Sequence, residues 1–97
     1  MCHFNIDGRN IGGSAPAYII AEMSANHHHD FDRAVRIIEA AAEAGADAIK
    51  LQTYTADTMT LDCDKDLFQI EGTIWEGRTL YDLYEEAYTP WEWHGDL

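Results

Sequence analysis

Two short apolar runs flank one stretch of helical period in this chain. Ala17-Tyr18-Ile19-Ile20-Ala21-Glu22-Met23 and Asp47-Ala48-Ile49-Lys50-Leu51-Gln52-Thr53 have the length and the near-continuous apolar content of strands covered on both faces of a parallel sheet. Between them Ala34, Val35, Ile37, Ile38, Ala41 and Ala42 recur at helical spacing, Asp30 stands where an N-cap belongs, and Gly45 stands where a helix closes. The pattern predicts a helix over 31–44 and a strand, helix, strand order of the kind that builds a parallel unit. Ahead of it, His3-Phe4-Asn5-Ile6 and Asn10-Ile11 lie on either side of Asp7-Gly8-Arg9, which predicts a two-stranded hairpin over 2–12. Gly12-Gly13-Ser14 and Pro16 then break the chain.

From Tyr54 to Arg78 the period fades. Single apolar residues, Met59, Leu61, Phe68, Ile70 and Trp75, are interleaved with Thr, Asp and Gly, which predicts a long structured loop of the kind that usually carries function. Thr79 is placed to cap a helix over 80–87, and Pro90 after Thr89 stands where a proline opens another helix. Two buried strands, one long helix and the start of another do not cover both faces of a parallel sheet, so the chain is expected to be a piece of a larger fold.

Composition narrows the classes of partner. Eighteen acidic against six basic side chains give a formal charge of -12, which repels phosphodiester backbones and anionic membrane surfaces, so neither nucleic acid nor membrane is expected as a partner. The acidic residues are spread along the chain as a solvated surface rather than gathered in a tail. Cys2 and Cys63 have no metal or redox spacing, the N-terminus has no basic start followed by an apolar run, and no apolar stretch nears the roughly 18 residues of a membrane span. A cytoplasmic, reduced protein is the expectation.

Alternation along a strand puts Ala48, Lys50 and Gln52 on one face of the second strand and Ile49 and Leu51 on the other. The branched face should meet the helices. If the fold is a barrel, the opposite face points inward and delivers the Lys50 amine and the Gln52 amide to the C-terminal end, where barrels of this kind hold their active sites. Glu22 ends the first strand on the matching face. Each charge is costly to bury alone, so the spacing leaves two readings open, a structural Glu22–Lys50 ion pair and a functional lysine. Asn26 and His27 directly follow the first strand and are placed to touch a ligand; the alternative is a left-handed turn at Asn26 and a solvated His27. Consecutive histidines at 27–29 diverge and lack the spacing that turns two rings onto one ion. Trp91 and Trp93 read as packing near a helix start, and Gly12-Gly13 lacks the rest of a dinucleotide or phosphate-loop pattern.

Tyr18-Ile19-Ile20-Ala21-Glu22-Met23-Ser24-Ala25-Asn26-His27 and Gly45-Ala46-Asp47-Ala48-Ile49-Lys50-Leu51-Gln52-Thr53 resemble the first two strands of the sialic acid synthase family, and the likeness runs in order across nearly the whole chain. Within that family Ser-Ala-Asn-His at 24–27, the run from Gln52 to Asp62, and Thr-Pro-Trp-Glu-Trp-His at 89–94 resemble the branch that makes pseudaminic acid. One departure stands out: the family usually continues Asn-His-Asn-Gly, where this chain has His28 and His29.

The resemblance implies an α/β fold, the N-terminal part of a TIM (β/α)8 barrel. Residues 1–13 would be a hairpin closing its bottom and 17–97 the first βαβα segments, with the rest of the barrel and a small antifreeze-like domain beyond Leu97. It implies that Glu22, Lys50 and Gln52 line the active site, with Lys50 near phosphoenolpyruvate and Glu22 and Gln52 near the metal and sugar, and Asn26 and His27 at its mouth. It implies a divalent metal, manganese or magnesium, held mainly by histidines of later strands, so no metal ligand is assigned to these residues. It also implies a homodimer at full length. The implied reaction joins phosphoenolpyruvate to a diacetamido-trideoxy-altrose. The nearest rival is the same chemistry on N-acetylmannosamine or the legionaminic acid precursor, and a more distant one is a non-enzymatic interaction module.

Overall fold

The computed structural model describes residues 2–72 and 77–97. Trp75 of the predicted loop lies outside the described residues. The chain opens with the expected hairpin, β1 (His3–Ile6) antiparallel to β2 (Arg9–Gly12). Asp7 and Gly8 form its turn with φ of 45° and 84°, the pair of left-handed residues whose twist matches the flanking strands. Gly12 has φ 98°, and a Cβ there would stand 2.7 Å from the Cys2 carbonyl oxygen, so the far end of the hairpin also requires glycine.

β3 (Ile20–Glu22), α1 (Phe31–Glu43) and β4 (Ala48–Lys50) follow, and β3 pairs with β4 in parallel, with Ile20 opposite Ala48, Ala21 opposite Ile49 and Glu22 opposite Lys50. The strands are shorter than the apolar runs that predict them. Asp47 N–H donates to Ile19 O at 2.8 Å and Met23 N–H donates to Lys50 O at 3.1 Å, which carries the pairing one step past each end. α1 starts and stops where its caps dictate. The Asp30 carboxylate accepts from Arg33 N–H at 3.1 Å. At the other end Gly45, with φ 93°, sends its N–H to Ala42 O while Ala46 N–H reaches Ala41 O, a Schellman closure. Ile38, Ala41 and Ala42 of α1 share a depression with Ala48 and Ile49 of β4, so the helix packs beside that strand.

The hairpin is tied to the start of this unit. Asp47 accepts from the Arg9 guanidinium and, at 2.8 Å, from Ile19 N–H, while Arg9 lies over the Tyr18 ring at 5.6 Å. These bonds hold the Asp47 carboxyl below its usual range, the Ile19 N–H first and Arg9 second.

The predicted long loop contains one helical turn, α2 (Ala56–Met59), and a 3-10 turn at Asp66–Phe68. Four residues are too few to show a period, which is why the sequence pattern does not predict α2. α3 (Leu80–Ala87) matches its predicted span, capped by the Thr79 hydroxyl accepting from Asp82 N–H at 3.2 Å. α2 and α3 lie together, with the Tyr81 hydroxyl donating to Asp57 at 3.0 Å and Tyr54 edge-on to Tyr84 at 5.5 Å. Pro90 opens a 3-10 turn at Trp91–Trp93, and an α-type bond appears only with Leu97 N–H donating to Trp93 O at 2.9 Å. Among the described residues no helix is long and apolar enough to cross a membrane.

Burial is sparse. Met23, Ala34, Ala56 and Ala87 are the buried apolar residues among those described, while Ile20 is 53% and Leu67 90% exposed. The radius of gyration is 17.0 Å, against about 13 Å for a compact domain of some 100 residues. Such a chain lacks the apolar burial that offsets conformational entropy. Expressed alone, these residues are expected to melt without a sharp two-state transition; a cooperative calorimetric peak from a monomeric sample would contradict this.

Candidate active site

The register of β3 on β4 sets the site. Glu22 and Lys50 are directly opposed on one face, and Lys50 Nζ lies 3.1 Å from Glu22 Oε1. Alternation along β4 sets Ile49 and Lys50 on opposite faces; Ile49 lines the depression shared with α1, and Lys50 is exposed. The energetics differ from the expectation of two charges buried at strand ends, because the two side chains are 57% and 60% exposed. An ion pair so open to solvent is worth at most about 1 kcal/mol. Holding the strands together is therefore not its main contribution in these residues. It presents an ammonium and a carboxylate side by side on an open face. Gln52 lies two residues beyond Lys50, and its carbonyl accepts from Thr89 N–H at 2.8 Å.

The loop after β3 turns sharply. Ser24, with φ 52°, takes the left-handed conformation expected at Asn26, and His28 and His29 take it as well, with φ of 51° and 56°. Asn26 is exposed, its amide donating to Met23 O at 3.0 Å and its carbonyl accepting from Arg33 Nε at 2.6 Å.

His27 corrects the sequence reading. It is 0% exposed, so the solvated alternative is excluded. His29 N–H donates to its Nδ1 at 2.9 Å, which places the proton of the neutral ring on Nε2, and Nε2–H donates to Thr89 Oγ1 at 3.1 Å. Both nitrogens are engaged within the protein, so neither is left for a ligand. The ring meets Trp93 edge-on at 5.4 Å, and Trp93 also meets Phe31 at 5.6 Å. His29 Nε2 bonds Tyr88 O at 2.9 Å. Trp93 thus packs as expected, whereas Trp91 is 64% exposed and stacks on His94 at 5.8 Å.

Thr89 is fully buried, and the sequence pattern names it only as the residue before Pro90 and the first of the 89–94 run, with no place at the site. Its place before Pro90 biases it to extended backbone and leaves its N–H free of α3. Among the described residues no three of His, Cys, Asp and Glu converge as a metal site.

With this geometry in place, comparison with known proteins gives the family. The profile of the NeuB family matches residues 37–97, and the chain belongs to that family. It is 51% identical over 88 residues to the pseudaminic acid synthase of Campylobacter jejuni, covering 91% of this chain and 26% of that protein. It is 50% identical over 82 residues to the pseudaminic acid synthase of Helicobacter pylori, covering 84% of this chain and 24% of that one. The crystal structure of the spore coat polysaccharide biosynthesis protein SpsE of Bacillus subtilis superposes with a TM-score of 0.62 at 36% identity, over 95% of this chain and 22% of that one. The chain therefore spans about a quarter of the length of these relatives.

Burial lowers the pKa of His27 from 6.5, and the neighbouring His29 and His28 lower it further. The neutral ring that the contacts require is favoured in the folded state, while the unfolded chain takes up a proton below 6.5. The contribution is therefore full above that value and is lost as pH falls through the folded pKa. In a full-length protein carrying these residues, melting temperature should fall on acidification below 6.5, and His27→Gln should flatten that limb. An unchanged pH profile in the variant would remove His27 as its source.

Proposed function

We propose that the protein carrying these residues is a pseudaminic acid synthase, condensing phosphoenolpyruvate with 2,4-diacetamido-2,4,6-trideoxy-L-altrose to give pseudaminic acid and phosphate. The observation that carries this is the 50–51% identity to pseudaminic acid synthases across 84–91% of the chain. Likeness to the N,N'-diacetyllegionaminic acid synthase of Legionella pneumophila, 48% identical, extends over only 50% of the chain. That second likeness favours the same chemistry on another sugar as the runner-up.

In the proposed reaction C3 of phosphoenolpyruvate attacks the open-chain aldehyde carbon, forming the C–C bond, and the aldehyde oxygen takes a proton. Water adds at C2, and phosphate leaves with cleavage of the C–O bond. Lys50 offsets the charge of phosphoenolpyruvate, Glu22 orients a sugar hydroxyl, and Gln52 hydrogen-bonds the sugar, with Asn26 at the mouth. What supports these roles is the exposed, side-by-side placement of Glu22 and Lys50 at paired strand ends, the end at which barrel enzymes gather their chemistry. His27 is given no substrate contact, because its nitrogens are engaged.

The reading includes the finer architecture, with β3 and β4 as the first two strands of a (β/α)8 barrel, a cytoplasmic location and a homodimer. It includes a divalent metal, manganese or magnesium, but the described residues do not form its site, and no step is assigned to it.

Two measurements test this. In the full-length enzyme Lys50→Met should lower kcat/KM by about 10²- to 10³-fold, the scale for losing one preorganised charge partner, with an unchanged melting temperature. A less stable variant with near-normal turnover would return Lys50 to a structural ion pair. Phosphate release with the altrose-derived sugar should exceed that with N-acetylmannosamine at matched concentration. The expected margin is about 100-fold, since a pocket shaped for a methyl rejects a hydroxyl weakly. Equal or greater kcat/KM for N-acetylmannosamine would refute the pseudaminic assignment and leave the family standing.

A further inference from the structure

The strand end that bears Lys50 and Gln52 is held by one residue far along the chain. Thr89 N–H donates to Gln52 O at 2.8 Å, and Thr89 Oγ1 accepts the Nε2 proton of His27 at 3.1 Å. His27 lies five residues after Glu22, so this pair of hydrogen bonds spans from the loop of β3 to the end of β4. Both side chains are 0% exposed, and Trp93 closes over the His27 ring edge-on at 5.4 Å. A buried hydroxyl and imidazole stabilise a fold only while bonded to each other, and loss of one leaves the other unpaired. The bond is therefore specific in position. The Glu22–Lys50 contact is solvent-exposed and too weak to fix either side chain. Past Lys50 the sheet pairing ends with Met23 N–H on Lys50 O, and among the described residues Thr89 N–H holds the backbone at Gln52.

We propose that Thr89 and His27 are positioning residues, holding the backbone that aims Lys50 and Gln52 at the substrates. This rests on the reading of Lys50 and Gln52 as substrate-binding residues. Thr89→Val keeps the shape and the backbone N–H but removes the acceptor for His27, whereas Thr89→Ser keeps the acceptor. Displacement of a reacting group by about 1 Å costs up to about 10²-fold.

The test uses the full-length enzyme, with phosphate release from phosphoenolpyruvate and the altrose-derived sugar measured well below the melting temperature of each variant. Thr89→Val should lose about 10- to 100-fold in kcat/KM while remaining folded, and Thr89→Ser should stay within about threefold of wild type. A Thr89→Val enzyme that melts lower yet turns over within about twofold of wild type would show a purely structural role and overturn the proposal. Should Thr89→Val fail to fold, His27→Gln and His27→Asn give the same contrast. The longer amide can reach Thr89 Oγ1 and the shorter cannot, so equal activity in the two overturns the proposal as well. A wild-type enzyme inactive on every sugar refutes the functional reading and the positioning role with it, whereas an active wild type beside an equally active Thr89→Val refutes only the latter.

Discussion

Two strands that run the same way cannot be joined by a tight turn, and most of this structure follows from that constraint. The chain must leave β3, cross over through α1 and return to begin β4 on the same side, which fixes the need for a capped helix and for a sharp exit from each strand. Parallel pairing then sets Glu22 opposite Lys50. A slip of one residue would move every side chain of β4 to the other face, exchanging the sides of Lys50 and Ile49. The register is guarded from both ends. Asp47 draws Ile19 and Arg9 together at the start, and Met23 and Thr89 bond Lys50 and Gln52 at the finish.

The local elements were legible because each carries its own punctuation. Asp7-Gly8 dictates the first turn, Asp30 and Gly45 bracket α1, and Thr79 opens α3, each through a backbone group that needs that residue. The parity of β4 was legible for the same reason, since alternation along a strand is geometry rather than context. What could not be read depends on partners distant in sequence. His27 sits among polar neighbours and reads as surface, yet it is buried by Thr89 and Trp93, which come more than sixty residues later. The Arg9–Asp47 contact, which ties the hairpin to the sheet, has no periodic signature either. Trp91 and Trp93 look equivalent in sequence, and only the turn after Pro90 decides which indole points inward.

The site divides its work between an open part and a closed one. Glu22 and Lys50 stand in solvent-accessible positions where they are free to meet charged molecules, and such positions contribute little to stability. A few residues away His27 and Thr89 are fully withdrawn from water, where a single hydrogen bond is directional and hard to replace. Exposed charged groups beside a buried, satisfied polar cluster combine accessibility with a backbone held in place.

The turn at His28 and His29 has a consequence for how the sequence can drift. Left-handed backbone at a residue with a Cβ costs roughly 1–2 kcal/mol, and asparagine and glycine occupy it more cheaply. His29 recovers part of that through its bond to the Tyr88 carbonyl and its edge contact with the Tyr88 ring at 4.8 Å, so it is coupled to a neighbour and constrained by it. His28 is exposed, and its φ of 51° serves the turn alone. The two adjacent histidines, alike in composition, thus have different physical constraints: replacing His28 changes only how well the turn is tolerated, whereas replacing His29 also removes ring contacts with Tyr88, His27 and Trp93.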